Sequence, residues 1–175
     1  MASTTFTLAN LAEHREQLLL LNIEYMSWAI GEVGKITGAS AQDMVGMSPA
    51  DYVTSVIDKV CGDAPPKGAF YLVESDGELA GMGGLRWVRD GVAEVKRIYV
   101  RPAQRGKQLG EAILQRVLDD AKRFGYQHIV LDSGPYMHAA HRIYEAFGFV
   151  DRGPYVEAEV PAEFHSIWRF MERAV

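Results

Sequence analysis

Between Ala69 and Val100 three strand-forming runs follow one another with only turn residues between them. Ala69 to Val73 and Leu79 to Trp87 flank Ser75-Asp76-Gly77, a hairpin signal, and Arg89-Asp90-Gly91 leads into Val92 to Val100. Strands joined by turns this short lie antiparallel, so the segment predicts a three-stranded meander. The chain then switches period. Leu109, Ile113, Val117, Ala121 and Phe124, with Leu114 and Leu118 beside them, recur at helical spacing up to the stop at Gly125. A meander feeding directly into an amphipathic helix points to a mixed α/β sheet rather than a bundle or a sandwich.

The flanks extend that order. Thr5 to Leu8 reads as a short strand, and Leu11, Leu18, Leu19, Ile23, Met26, Ala29 and Ile30 predict a helix ended by Gly31 and Gly34. Lys35 to Met47 reads as a loop, and Ser48-Pro49 supplies a cap and first-turn proline for a helix over Ala50 to Val60. After the central helix come a strand at His128 to Leu131, a helix at Ala139 to Phe147 stopped by Gly148, and strands at Phe149 to Val156 and Ser166 to Arg173. The fold class expected is α/β: a largely antiparallel central sheet flanked by helices. A length of 175 residues, 48% of them hydrophobic, suits one domain over residues 1–175.

A net charge of −5 argues against nucleic acid as a partner, because phosphate-rich ligands call for surplus Lys and Arg. The single cysteine, Cys61, has no second thiol to pair with and reads as a packing residue. Met-Ala-Ser-Thr-Thr-Phe lacks a charged region followed by an apolar one, and no run approaches membrane-spanning length. No membrane association and a cytoplasmic location are the expectations.

Inside this acidic chain, Val100-Arg-Pro-Ala-Gln-Arg-Gly-Lys-Gln-Leu-Gly110 is basic, and it sits at the strand-to-helix switch. A helix start carries unpartnered backbone N–H groups and about half a positive charge. Gly106 and Gly110 let a ligand approach, and Arg105 and Lys107 add charge, so the turn can hold a phosphate or pyrophosphate. It has neither the Gly-Lys-Ser/Thr ending of a nucleoside-triphosphatase loop nor the three glycines of a dinucleotide fingerprint. The alternative is a plain turn with solvated cations.

Arg105-Gly106-Lys107-Gln108-Leu109-Gly110 resembles the Arg/Gln-x-x-Gly-x-Gly/Ala signature of the GNAT superfamily of acyl-CoA-dependent N-acetyltransferases, with Gln108 in place of a glycine. A side chain is accommodated there if the backbone is helical. Upstream, Ala93-Glu-Val-Lys-Arg-Ile-Tyr-Val-Arg-Pro102 is similar to the family's fourth strand. Downstream, Leu131-Asp-Ser-Gly-Pro135 and Ala140-His-Arg-Ile-Tyr-Glu-Ala-Phe-Gly-Phe149 continue the likeness, with Met137 where an asparagine is often found. The resemblance implies acetyl-CoA as co-substrate, and no ligand cluster in the sequence supports a metal. Its pyrophosphate would rest on Arg105, Gly106, Lys107, Gln108, Leu109 and Gly110, its pantetheine would run along Ile98, Tyr99 and Val100, and Met137, Ala140 and Tyr144 would complete its contacts.

Transfer to an amine needs a proton removed from the ammonium and one given to the departing sulfur. Tyr144 matches the family's tyrosine at the cofactor sulfur; otherwise it is a packed helix aromatic. Glu94 matches a glutamate that serves some members as general base. Strand alternation puts it on the same side as Ile98 and Val100 if no bulge intervenes, roughly 13 Å from Ile98 at about 3.3 Å per residue, which favours a relayed proton. Otherwise it is a strand carboxylate paired with Arg97 or Arg86. His138 and His141, with Glu145, have a spacing that metal ligands can use, but no further ligands accompany them and they read as a solvated helix face. Trp28, Trp87 and Trp168 fill core or cleft walls. The cleft rim is expected from Tyr25 to Val60, the Arg86 to Asp90 turn, and the Gly134 to His138 and Gly153 to His165 loops. The function expected is acetyl transfer to a primary amine of a small molecule, less so of a peptide or lysine. A non-catalytic acyl-CoA-binding module and an unrelated nucleotide-phosphate binder stay open, as does a homodimer.

Overall fold

The meander forms the middle of a seven-stranded sheet in the computed structural model, which describes residues 3–175. In chain order the elements are β1 (Thr4–Leu8), α1 (Leu11–Thr37), α2 (Ala41–Val45), α3 (Pro49–Cys61), β2 (Ala69–Ser75), β3 (Glu78–Arg89), β4 (Val92–Val100), α4 (Leu109–Arg123), β5 (His128–Ser133), α5 (His138–Ala146), β6 (Val150–Arg152) and β7 (Arg169–Ala174). The sheet order is β1-β2-β3-β4-β5-β7-β6, antiparallel except where β5 runs parallel to β4. Asp76 and Gly77 both take positive φ, 53° and 81°, the combination that matches the twist of a two-residue hairpin. The leader expectation touches Met1 and Ala2, which lie outside the described residues. Among those described, no helix is long and apolar enough to cross a membrane.

Both faces of the sheet are covered, which is why β2 is apolar without a break from Ala69 to Val73. Ala69, Tyr71 and Val73 face α4 and pack with Ile113, Val117 and Ala121. Phe70 and Leu72 face the other way, onto Leu18 and Leu21 of α1 and Val53 and Ile57 of α3. Cys61 closes that layer, and burial pushes its thiol up to about 12, consistent with packing.

The helical flank differs from the expectation in two places. α1 passes through Gly31 and Gly34 and ends at Gly38, whose φ of 76° suits a helix stop. A glycine inside a helix costs only about 1 kcal/mol, and the burial of Ala29 and Val33 outweighs it. The expected loop at Lys35 to Met47 holds α2, started by a capping box between Ser40 and Asp43. At the far edge, β6 is only three residues long because Gly153 and Pro154 follow it, and β7 begins at Arg169 because Trp168 N–H still turns back to Phe164.

The feature that positions the site is a bulge in β4. Gly84 pairs with Lys96 and Met82 with Tyr99, so one residue of β3, Gly83, opposes two of β4, Arg97 and Ile98. Arg97 takes up the extra residue at φ 51° and is held there by Nη1 donating to Asn22 Oδ1 at 2.9 Å. Gly83 makes the room: a Cβ on it would stand 2.5 Å from Ile113 Cγ2 and 3.1 Å from Ile98 Cγ1. The bulge breaks the alternation. Ala93 and Val95 face α4 and so, beyond the extra residue, do Ile98 and Val100, whereas Tyr99 faces α1. Glu94 therefore lies on the opposite side from Ile98 and Val100, which corrects the same-side expectation.

β4 and β5 pair only over Val92–Glu94 and His128–Val130. Beyond that the strands part, and the edge of β4 from Val95 to Val100 has no strand beside it. Replacing Gly83 with alanine should cost about 1–3 kcal/mol by overpacking. Urea denaturation will show it as a lower midpoint with an unchanged slope.

Candidate active site

Where β4 ends, the chain makes a single 3-10 turn at Pro102–Gln104 and enters α4 through Arg105 to Gln108. Gly106 sits at φ 82°, and Gln108, the N-cap residue, at φ 58° and ψ 23° with no side-chain cap hydrogen bond. The first amide bonded inward is that of Ala112, which donates to Gln108 O at 3.1 Å. The amides of Leu109, Gly110 and Glu111 thus open the helix uncapped, an arrangement that suits an anion. A Cβ on Gly110 would find its nearest neighbour, Ile143 Cδ1, at 3.5 Å, so the lip of this turn is open.

Gln108 departs from the expectation of a helical backbone: it is left-handed. A non-glycine residue there is strained by about 1–2 kcal/mol. The two cations also differ. Lys107 Nζ donates to Gln104 Oε1 at 2.7 Å and to Ser75 Oγ at 3.1 Å, which ties it to the β2–β3 turn. Arg105 Nε donates to Val100 O at 3.1 Å, and its guanidinium lies over the Trp28 ring at 5.8 Å.

Across the gap, Tyr144 on α5 is 8% exposed and packs edge-on against Phe149. Burial pushes its phenol well above the ordinary value, with Tyr25 and Asp132 adding to the effect. Ala140 is half-buried against the same core. Met137 stands at the N-cap of α5, where Ser133 Oγ donates to its Sδ at 3.2 Å; the same hydroxyl lies 3.0 Å from His141 Nε2. Burial, then Arg169, lowers the His141 pKa, and His138 is exposed. Among the described residues no group of three or more His, Cys, Asp and Glu is placed to hold a metal.

On the other side of β4 lies a buried ionic network that the sequence reading did not assemble. Glu94 is fully buried; its Oε1 accepts from Arg86 Nε at 2.8 Å and lies 3.1 Å from Lys96 Nζ, and its Oε2 accepts from the Tyr155 hydroxyl at 2.7 Å. Lys96 also reaches Glu159 at 3.3 Å, and Arg97 lies 3.7 Å from it. Burial works against ionising Glu159, but Lys96 and Arg97 outweigh it and hold the carboxyl at about 2. Asp132, at the end of β5, accepts from Trp168 Nε1 at 2.9 Å and from the Tyr155 hydroxyl at 3.3 Å. Burial raises its pKa, Lys96 partly offsets the rise and Glu94 reinforces it. Glu94 thus has the pairing with Arg86 and a second one with Lys96, which holds its carboxylate inside the network.

Lys96, Arg97, Asp132 and Glu159 form one wall of a cleft of about 130 Å³. Tyr25, Met26, Ala29, Ile30 and Val33 of α1 form another, and Met44, Tyr52, Tyr136, Phe164 and Trp168 close it. The Gly134 to His138 and Gly153 to His165 loops contribute as expected. The Arg86 to Asp90 turn does not: Trp87 is 39% exposed under Lys67, and no residue of that turn lines the cleft. The signal for Asp132 was a lone acidic residue ending an apolar strand; for Lys96 it was a charge on a strand buried on both faces.

The family model described as "Acetyltransferase (GNAT) family" matches residues 40–149. The chain is 34% identical over 93 residues to the IAA acetyltransferase of Azospirillum brasilense, covering 53% of this chain and 61% of that protein. It is 32% identical over 103 residues to the N-acetylaspartate synthetase of Xenopus tropicalis, covering 58% of this chain and 38% of the other. It therefore spans less than two-thirds of either relative. In fold it is similar to the PaiA N-acetyltransferase of Thermoplasma acidophilum in complex with coenzyme A, with a TM-score of 0.67 at 17% identity over 99% of each chain. Replacing Gln108 with glycine should relieve the left-handed strain and stabilise the protein by up to about 1 kcal/mol. Thermal melting will read this as a higher midpoint.

Proposed function

The chain belongs to the acetyltransferase (GNAT) family, and we propose on that premise that it is an enzyme moving the acetyl group of acetyl-CoA onto a primary amine of a small molecule, by direct attack in a ternary complex. One observation carries the reading. The unpaired edge of β4 leads, through the short turn at residues 101–108, to the uncapped first turn of α4, so one ligand can lie along both. Acetyl-CoA supplies an activated acetyl group.

The amides from Gly106 to Glu111 bind its diphosphate, and Gly110 keeps the approach open. Backbone groups at Ile98, Tyr99 and Val100 that face away from β3 orient its arm as a strand would, and an N–H near Ile98 or Tyr99 holds the carbonyl oxygen as charge builds on it. Met137 and Ala140 line the other bank. Tyr144 gives its proton to the departing sulfur; with its pKa raised, the phenol stays protonated across the physiological range. Glu94 acts by position, fixing Lys96 and Tyr155 behind the acceptor. A small-molecule acceptor is supported by the size of the cleft and by the name of the N-acetylaspartate synthetase relative.

Tyr144→Phe should lower the rate of CoA release from acetyl-CoA and an amine by about 100-fold or more, with acetyl-CoA affinity retained. Unchanged turnover would remove the catalytic assignment.

A further inference from the structure

We propose that Asp132 receives the acceptor, binding its ammonium group and taking a proton from it, and that the acceptor is a primary monoamine with an apolar body of aromatic size and no carboxylate. The proposal rests on the acetyl-transfer reading and names the substrate class of that same site.

Asp132 lies two residues beyond Val130, the last residue of β5 paired with β4, so it stands where the strands part and lines the cleft between them. Its hydrogen-bond donors are the Trp168 indole and the Tyr155 hydroxyl, both neutral, and the second is shared with Glu94. Among the described residues it makes no salt bridge. The cations of the same wall are all engaged: Lys96 lies 3.1 Å from Glu94 and 3.3 Å from Glu159, and Arg97 bonds Asn22 and lies 3.7 Å from Glu159. The cleft therefore offers an ammonium a carboxylate with no cation in direct contact, and offers a carboxylate only cations that already have partners.

The rest of the cleft selects the body of the acceptor. Tyr136 packs edge-on with Trp28 at 5.2 Å and with Trp168 at 6.3 Å, which places aromatic rings beside the carboxylate, and such rings favour an alkylammonium. Met26, Ala29, Ile30 and Val33 supply an apolar floor. A volume of about 130 Å³ suits one benzene-sized group, since an apolar cavity of about 150 Å³ holds benzene. The Tyr136 hydroxyl and Glu159 Oε1 are buried without a hydrogen-bond partner, so the cleft has polar atoms still to be satisfied.

Several groups face Asp132. Lys96, Glu94 and Arg97 come from β4, Tyr155 and Glu159 from the segment after β6, Tyr25 from α1, Tyr136 from the segment after β5 and Tyr144 from α5. The four tyrosines and Lys96 are raised above their ordinary values and Glu159 is held at about 2, so neither those tyrosines, nor Lys96, nor Glu159 changes charge in mild acid. Burial raises Asp132, and a carboxylate so raised is a better proton acceptor. In the transfer a C–N bond forms and the C–S bond breaks, its electron pair leaving on sulfur. The nitrogen loses two protons: one passes through Asp132 to solvent, and the other balances the proton that Tyr144 gives to sulfur.

The test is CoA release by the full chain with phenethylamine, L-phenylalanine and butane-1,4-diamine, repeated for Asp132→Asn and Asp132→Glu over a range of pH. Phenethylamine should be preferred at least tenfold over the other two in kcat/KM. Its kcat/KM should fall with decreasing pH through a pKa above the ordinary carboxyl range of about 4, because only the ionised Asp132 accepts a proton. Asp132→Asn should lose about 100-fold or more and lose that acidic limb, while acetyl-CoA still binds. Asp132→Glu, which keeps the carboxylate, should recover part of the rate, and it decides the matter if the Asn variant does not fold. Equal or better turnover of phenylalanine or the diamine, or an unchanged pH profile in Asp132→Asn, overturns the inference and leaves the acetyl-transfer reading standing. Acetyl-CoA binding with no CoA release for any amine overturns that reading and this inference with it.

Discussion

The three-residue contact between β4 and β5 is the constraint on which the rest of the molecule depends. A parallel pair running the full length of both strands would close the sheet and leave no gap for a ligand. The bulge at Arg97 interrupts the ladder between β3 and β4, which resumes at Tyr99, and Asn22, whose own Nδ2 donates to Leu18 O at 2.7 Å, anchors the displaced residue to α1. β4 is thus fastened to the helical layer behind it just past the point where it parts from β5. It opens one edge of β4 toward α4 and exposes one wall of β4 and β5 toward α1, which are the two halves a two-substrate enzyme needs.

The two halves use charge differently. At the start of α4 the positive character is carried by backbone amides that no side chain caps, with Lys107 tied elsewhere. In the cleft the charges are side chains buried in a network, where a lost partner costs more than the pair contributes. Glu94, Lys96, Glu159, Arg86 and Arg97 hold one another through direct ion pairs. Asp132 makes no such pair among the described residues, and a carboxylate in a cleft with no cation in contact is available for chemistry where a paired one is not.

Much of the frame was legible in the sequence because it rests on local rules. The hairpin at Asp76-Gly77, the apolar stripe of α4 and the glycine-flanked turn at Arg105 to Gly110 are each written within a few residues, and each stands where the pattern places it. What escaped depends on contacts across the chain. The bulge at Arg97 needs Gly83 on the neighbouring strand and Asn22, 75 residues away. One inserted residue reverses every side chain after it, and so Glu94 falls on the other face from Ile98. The Asp132 site joins β4, β5, the segment after β6 and α1, and no spacing in the sequence signals that meeting. The continuation of α1 through Gly31 and Gly34 was likewise decided by burial of Val33, a tertiary effect that overrides propensity.

The proposed function requires one ligand lying along the open edge of β4 with its diphosphate at the first turn of α4. Backbone amide NMR of the protein titrated with coenzyme A measures this directly. The predicted result is that the amides of residues 106–111 and those of β4 between Val95 and Val100 shift and slow their hydrogen exchange, while those of β1 and β2 do not. Binding that leaves both segments unperturbed, with the changes elsewhere, would contradict it.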